Sequence, residues 1–247
     1  MLISVITVSF NAEATIAKTI ESIINQENVS IEYIIIDGGS TDRTLEIIKS
    51  YESNIHKLVS EKDEGIYDAM NKGLKLASGT HVIFLNAGDT FTHSAALTSL
   101  IETQKNADLY CAETNLIDEK GGLIGTRSER TSRKLPSSVS KNSFLNGQIV
   151  SHQAFLAKKA LCPKFDTTFK CSADIDWMIK VTSKAKSIVV SRKPLVDYLV
   201  GGFSQGNLRI CWKERLQIML NHFNPLIVGI YHIKFALRFL RYRIYRS

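Results

Sequence analysis

The chain has 247 residues, 44% of them hydrophobic, enough to bury a substantial core in one domain and too many for a disordered protein. Its four cysteines, Cys111, Cys162, Cys171 and Cys211, show no CxxC or CxxH spacing, which argues against a zinc site and a disulfide framework and favours a reducing compartment. The formal charge of +7 is local: residues 209–247 carry eight Lys or Arg against one Glu, while residues 1–208 carry 23 basic and 23 acidic residues, so a nucleic-acid-binding body with a broad basic face is disfavoured.

Residues 2–8 read as a β-strand, with no basic region and signal-type apolar run before them, so a cytoplasmic location is expected. A turn at 9–13 leads into a predicted helix over 14–25, where Ile16, Ile20, Ile23 and Ile24 form one apolar face. Residues 33–36 are apolar and mostly β-branched, the pattern of a buried parallel strand, and they end in Asp37-Gly38-Gly39-Ser40-Thr41-Asp42. The glycines give the backbone room to turn and to approach a ligand, and Ser40 or Thr41 is expected to cap a helix over 43–51. A polar loop from Ser60 enters a helix at 66–77, closed by Gly79, with Tyr67 and Asn71 one turn apart and Asp68 able to pair with Lys72. A strand at 80–85 then runs into Asn86-Ala87-Gly88-Asp89. Two strands thus deliver Asp37 and Asp89 to one edge, and ligands of open α/β sheets bind beyond the carboxyl ends of strands.

Further along, 108–114 reads as a strand, 118–122 as a hairpin-type turn, and the Ser-, Arg- and Lys-rich stretch 126–139 as a mobile loop. His152 precedes a strand in Ser151-His152-Gln153-Ala154-Phe155. A helix begins near Asp174 in Cys171-Ser172-Ala173-Asp174-Ile175-Asp176-Trp177-Met178, where a carboxylate is favoured by the helix dipole. Residues 187–191 form a strand, and Gly201-Gly202-Phe203-Ser204 is a glycine-rich loop that matches neither a P-loop nor a dinucleotide fingerprint. In the tail, 224–247, the uncharged run is too short to span a bilayer. Lys234, Arg238 and Arg241 share a helical face, the pattern of an interfacial amphipathic helix.

In order and spacing, residues 5–16, 34–42, 60–73 and 84–89 resemble the family-2 glycosyltransferases; residues 65–73 with 86–89 look most like bacterial enzymes that assemble O-antigen or colanic-acid repeat units. The resemblance implies a GT-A-like single α/β domain with a mostly parallel sheet: a nucleotide-sugar-binding half (1–107), an acceptor-binding half (108–208) and a basic amphipathic helical tail (209–247). It places Thr7, Ser9 and Asn11 near the nucleotide base, although the proline frequent in that strand is absent. It assigns Asp37 with Gly38 to the uracil or ribose, and Asp63, Gly65 and Asn86 to the donor. Asp89 matches the metal-binding position for Mn²⁺ or Mg²⁺, with Gly88 where a residue commonly holds the ribose. Asp174 aligns with the catalytic base, Ala173 standing for the family's preceding Glu, and Asp176 is the second candidate. His152, Gly202 and Ser204 fall on the acceptor or diphosphate side.

The implied activity is inverting transfer of a hexose from a nucleotide diphosphate sugar, by family prior a UDP-sugar, to a polyprenyl-diphosphate-linked saccharide in bacterial surface polysaccharide (O-antigen) synthesis. Residues 224–247 would hold the enzyme on the cytoplasmic face of the inner membrane, with no nucleic-acid partner. Two alternatives stay open: a nucleotide-sugar-binding module without catalysis, suggested by Gly88 and Ala173, and a nucleic-acid-binding α/β protein using its basic tail.

Overall fold

Strand β1 (Leu2–Ser9) is the axis of the first half in the computed structural model, which describes residues 1–201 and 208–244, with the backbone alone at 208 and 235–244. Gly202 and Ser204 lie outside the described residues. Strand β2 (Ser30–Asp37) pairs with β1 in parallel from Leu2↔Ser30 to Ser9↔Asp37, and β4 (His81–Phe84) pairs in parallel on the other side. Strand β2 begins three residues before its apolar run because Ser30, Ile31 and Glu32 find ladder partners in Leu2, Ile3 and Ser4. Strand β3 (Lys57–Ser60) adds in parallel to β2 at the sheet's edge, where only Leu58 and Val59 are apolar.

The second half completes a mixed sheet of order β3-β2-β1-β4-β8-β6-β9-β5. Strand β8 (Phe155–Lys158) runs antiparallel between β4 and β6 (Leu109–Ile117). Strand β9 (Ile188–Leu199) is parallel to β6, β5 (Thr90–Phe91) is antiparallel to β9, and β7 (Leu123–Thr126) closes a hairpin with β6. The long ladders, β1 with β2 and β6 with β9, are both parallel; the antiparallel pairings are short.

Helices α1 (Ile16–Ile24), α2 (Thr44–Ser50), α3 (Ile66–Leu76) and α4 (Ala96–Ile101) cover the first part. Ile16, Ile20 and Ile23 of α1 are buried, the face their spacing predicts. Ser40 and Thr41 do not cap α2. The Ser40 hydroxyl donates to Asp37 instead, the Thr41 N–H donates to Asn11 Oδ1, and Asp42 Oδ1 receives the Thr44 N–H at 3.0 Å. The stretch 126–139 is not simply a mobile loop: Thr126 and Glu129 form a reciprocal capping box around the short helix α5 (Arg127–Arg130), and Arg127 is buried.

Helix α6 (Ala173–Lys184) is set by Trp177, which is fully buried, stacks on Phe165 with centroids 5.0 Å apart, meets Phe84 and Phe155 edge-on, and donates its Nε1–H to the Pro163 carbonyl. This cluster ties α6 to β4 and β8 and so fixes its amino end against the sheet. Helix α7 (Leu208–His222) packs back on α6, burying Cys211, Ile218 and Met219, and α8 (Pro225–Ile244) follows.

Candidate active site

The carboxyl ends of β1 and β4, the start of α3, the start of α6 and one side of α7 surround a cleft of about 950 Å³. Of the residues expected at the site, Ser9, Asp63, Gly65, Asn86, Asp89, His152 and Asp174 line it.

Asp174 enters from the first turn of α6, 7% exposed, and three side chains hold its carboxylate. Tyr67 Oη donates to Oδ1 at 3.2 Å, Gln148 Nε2 donates to Oδ2 at 3.2 Å, and His152 Nδ1 lies 3.2 Å from Oδ2. Burial alone would raise its pKa, but the His152 hydrogen bond and charge, Arg215 and the Ile175 N–H outweigh that and hold it below the ordinary value. The group is therefore an ionised acceptor at neutral pH, in contact with the cleft.

Asp89 is the second carboxylate. Gln153 Nε2 donates to Oδ2 at 2.8 Å and the Leu199 N–H to Oδ1 at 3.1 Å, yet burial dominates and lifts its pKa to about 6. Its neighbour Asn86 places Nδ2 3.2 Å from His152 Nε2, and leaves Oδ1 buried with no hydrogen-bond partner. Asn86 and Asp89 both line the cleft, and an amide oxygen with a carboxylate is a hard-oxygen donor set of the kind Mn²⁺ and Mg²⁺ take. Among the described residues no group of three or more His, Cys, Asp or Glu is assembled for a metal, so diphosphate oxygens and water would have to supply the remaining ligands. Gly88 has φ +105°, and a Cβ there would meet Leu199 Cδ2 at 3.3 Å; the turn itself selects against a side chain at this position.

Other expected residues lie elsewhere. Asp37 sits at the carboxyl end of β2, fully buried, but it does not line the cleft. Its Oδ1 accepts from the Ser9 and Ser40 hydroxyls, and its Oδ2 from the Ser40 N–H at 3.0 Å and the Ser60 hydroxyl at 2.7 Å, which fills its acceptor capacity. Thr7 is buried under Tyr33, whose Oη donates to it at 3.2 Å; it lies one strand period deeper in β1 than Ser9, which does line the cleft. Asn11 (φ +46°) is exposed and ties its turn to the next, its N–H donating to Ser40 Oγ at 2.9 Å. Gly38 does not line the cleft but lets Asp63 come close: a Cβ there would strike the Asp63 carboxylate, which accepts the Gly65 N–H at 2.8 Å. Asp176 is occupied structurally, 2.7 Å from His222 Nε2 on α7 and 2.6 Å from Lys180 Nζ.

The structure adds residues that sequence reasoning did not assign. Gln148, Gln153, Arg127, Tyr198 and Arg215 all line the cleft, as does Phe10, which is 63% exposed. Tyr198 lies near both carboxylates: burial first, then the charges of Asp89 and Asp174, raise its phenol. The His152-Gln153 pair was the available signal, since adjacent side chains on one short 3₁₀ turn reach Asp174 and Asp89 respectively.

The family model of glycosyl transferase family 2 matches residues 4–164. The chain belongs to glycosyl transferase family 2. An uncharacterised glycosyltransferase of Mycobacterium tuberculosis is 30% identical over 198 residues, covering 76% of this chain and 71% of its own. Among solved structures, S. aureus TarS superimposes with a TM-score of 0.69 at 21% identity; the alignment covers 96% of this glycosyltransferase and 43% of TarS, so the chain spans less than half of that protein. Glucosyl-3-phosphoglycerate synthase from Mycobacterium tuberculosis, in complex with Mn²⁺, UDP and glucosyl-3-phosphoglycerate, aligns with a TM-score of 0.60 at 17% identity over 89% of this chain and 79% of that one. These likenesses show that the α/β sheet is of the GT-A type.

Proposed function

We propose that this glycosyltransferase transfers a hexose with inversion from a nucleotide diphosphate sugar, a UDP-sugar, to a hydroxyl of a polyprenyl-diphosphate-linked saccharide in the synthesis of a bacterial surface polysaccharide such as O-antigen. The observation that carries this reading is the single cleft in which an ionised, hydrogen-bonded Asp174 shares space with Asn86 and Asp89. A base on one side and a hard-oxygen donor set on the other suit an acceptor hydroxyl and a departing diphosphate. Binding of UDP-GlcNAc by a fragment of TarS, residues 1–349, supports the donor class.

In this reading Ser9, Phe10 and Asp63 border the nucleotide, the exposed Phe10 ring offering a face to the base. Asp37 shapes the Gly38–Ser40 turn through its hydroxyl and N–H partners. The acceptor hydroxyl gives its proton to the Asp174 carboxylate as its oxygen attacks the anomeric carbon from the face opposite the diphosphate. Tyr67, Gln148 and His152 hold that carboxylate in place, leaving the proton transfer to orientation rather than search. A divalent cation held by Asp89 and Asn86 would neutralise charge on the departing diphosphate.

The tail supports a place for the reaction. Helix α8 exposes Leu226, Ile230 and Ile233 beside Lys234, and no described helix is long and apolar enough to cross a membrane. An apolar, basic face of this kind suits the surface of an anionic bilayer, each basic residue contributing about 1 kcal/mol near that surface. The proposed location is accordingly the cytoplasmic face of the inner membrane, where the lipid-linked acceptor is anchored.

The test is a donor panel: UDP-, GDP- and dTDP-sugars with Mn²⁺ or EDTA, transfer to GlcNAc- or GalNAc-diphosphate-lipid acceptors being read by mass. Transfer from a UDP-sugar that EDTA stops is the expected result. Transfer from a GDP- or dTDP-sugar alone would overturn the donor assignment, and EDTA-resistant transfer the cation.

A further inference from the structure

The cleft that holds Asp174 is also lined by two arginines; the charge of Arg215 helps keep that carboxylate ionised, but the transfer chemistry gives neither arginine a contact with donor or acceptor. Arg127, from α5, is 9% exposed, and its guanidinium donates to the carbonyls of Arg133 and Gln148. Arg215, from α7, is half-buried, and its Nε is buried without a hydrogen-bond partner. Among the described residues neither forms an ion pair within 4 Å. A buried cation without a counter-charge is costly, so residues in this state need a reason to be there.

The neighbourhood does not neutralise them. Glu214, beside Arg215 in sequence, spends its carboxylate on the backbone N–H groups of Lys170 and Cys171, at 2.7 and 2.9 Å. Burial, then the charges of Arg133 and Arg215, push the Arg127 pKa down to about 10, against the opposing pull of Glu113 and Asp174. Lys170 also lines the cleft, as does Glu64. Arg127, Arg133 and Arg215 thus outnumber the two carboxylates that act on Arg127, Glu113 and Asp174, and one of those two is the carboxylate assigned as the base.

We propose that Arg127 and Arg215 form an anion-binding subsite for a phosphate group of the acceptor. A saccharide hydroxyl alone gives guanidinium groups no charge to pair with. A phosphate oxyanion does, and the planar fork of arginine matches its oxygens. Both residues come from the second half of the chain, whereas the expected donor side is built by Ser9, Asn86 and Asp89. The subsite would orient a phosphorylated acceptor so that its sugar hydroxyl reaches Asp174, and would select such acceptors over neutral glycosides. This assignment rests on the glycosyltransferase reading for which substrate brings the phosphate; the same chemistry could be met by the donor diphosphate, and the experiment separates the two.

The probe is phenyl phosphate, titrated calorimetrically into the full chain without UDP and at saturating UDP, with benzyl alcohol as the neutral control. The wild type is expected to bind phenyl phosphate in both states and not to bind the alcohol. Arg215→Gln should weaken phenyl phosphate roughly tenfold, the loss expected for one hydrogen bond to a charged group, and leave UDP affinity unchanged. Arg127→Gln should do the same; Arg215, half-buried on a helix, keeps the test readable if the buried variant fails to fold. Equal phenyl phosphate binding by wild type and Arg215→Gln, no binding by the wild type, or displacement of the probe by UDP would overturn the proposal, the last by giving the arginines to the donor. Failure of UDP to bind would instead contradict the donor reading, while the probe arm without UDP would still report on the arginines.

Discussion

Nδ1 of His152 stands 3.2 Å from Oδ2 of Asp174. Its chain neighbour Gln153 donates to Asp89 at 2.8 Å, so one short 3₁₀ turn places a side chain on each of these two carboxylates. The separation between the proposed base and the proposed cation site is thus set by a dipeptide braced by β8, not by a mobile loop.

His152→Gln tests the first of these contacts. The His152 hydrogen bond is the largest influence holding Asp174 below its ordinary value, so its loss raises the pKa of that carboxylate. The ionised form is the active base, and the acid limb of the pH–rate profile should therefore move to higher pH. The rate on the plateau should fall only ~10-fold, less than the ~10²–10⁴ that loss of a general base costs. A uniform loss of rate with an unmoved acid limb would reduce His152 to a packing residue.

Gly88→Asp would place an acidic residue next to Asp89, but the backbone opposes the simple exchange. With φ +105° and Leu199 at 3.3 Å from the new Cβ, the variant should lose roughly 1–3 kcal/mol of stability. Denaturant unfolding measures this, and an unchanged midpoint would show that the turn relaxes freely.

Glu32 supplies a pH dependence of stability. It is 5% exposed, and although burial alone would raise its pKa, hydrogen bonds from Lys57, Ser4 and the Ser78 N–H and hydroxyl lower it from 4.5 to about 2. A depressed folded-state value means that the contribution is full above pH 4.5 and fades as the pH falls toward 2. Glu32→Gln should be less stable at pH 7 by about 2 kcal/mol and should lose less than the wild type between pH 4.5 and 2. Parallel stability curves for the two proteins across that range would contradict the assignment.

For the tail, Ile230→Glu combined with Ile233→Glu alters two exposed side chains, at 53% and 63%, so folding should be undisturbed. Co-sedimentation with phosphatidylglycerol vesicles should be lost while transfer to a water-soluble acceptor persists. Vesicle binding equal to the wild type would remove α8 from the membrane.

The first half of the fold was legible because β1, β2, β4, α1 and α3 each carry their own apolar period, bounded by turn residues. Strand β3 was not, since an edge strand with only Leu58 and Val59 apolar looks like a polar loop. The capping box of α5 was present as Thr126-Arg127-Ser128-Glu129, but a segment rich in Ser and Arg has the composition of a solvent-exposed loop. Within the site, Asp174, Asp89 and His152 were expected from the family resemblance, and all three line the cleft. Thr7 and Asp37, expected beside the nucleotide, do not line the cleft, and the hydrogen bonds to Tyr33 and Ser60 that occupy them are made to partners far along the chain. Gln148 and Arg215 reach Asp174 only after α6 and α7 dock, and no local pattern announces that.

The most direct measurement is transfer and UDP binding by Asp174→Asn beside the wild type, with the same donor and acceptor. The account predicts that transfer falls by ~10²–10⁴ while UDP affinity is unchanged, because Asp174 serves the acceptor proton and not the nucleotide. Wild-type turnover in Asp174→Asn would contradict the base assignment, and with it the mechanism built on this cleft.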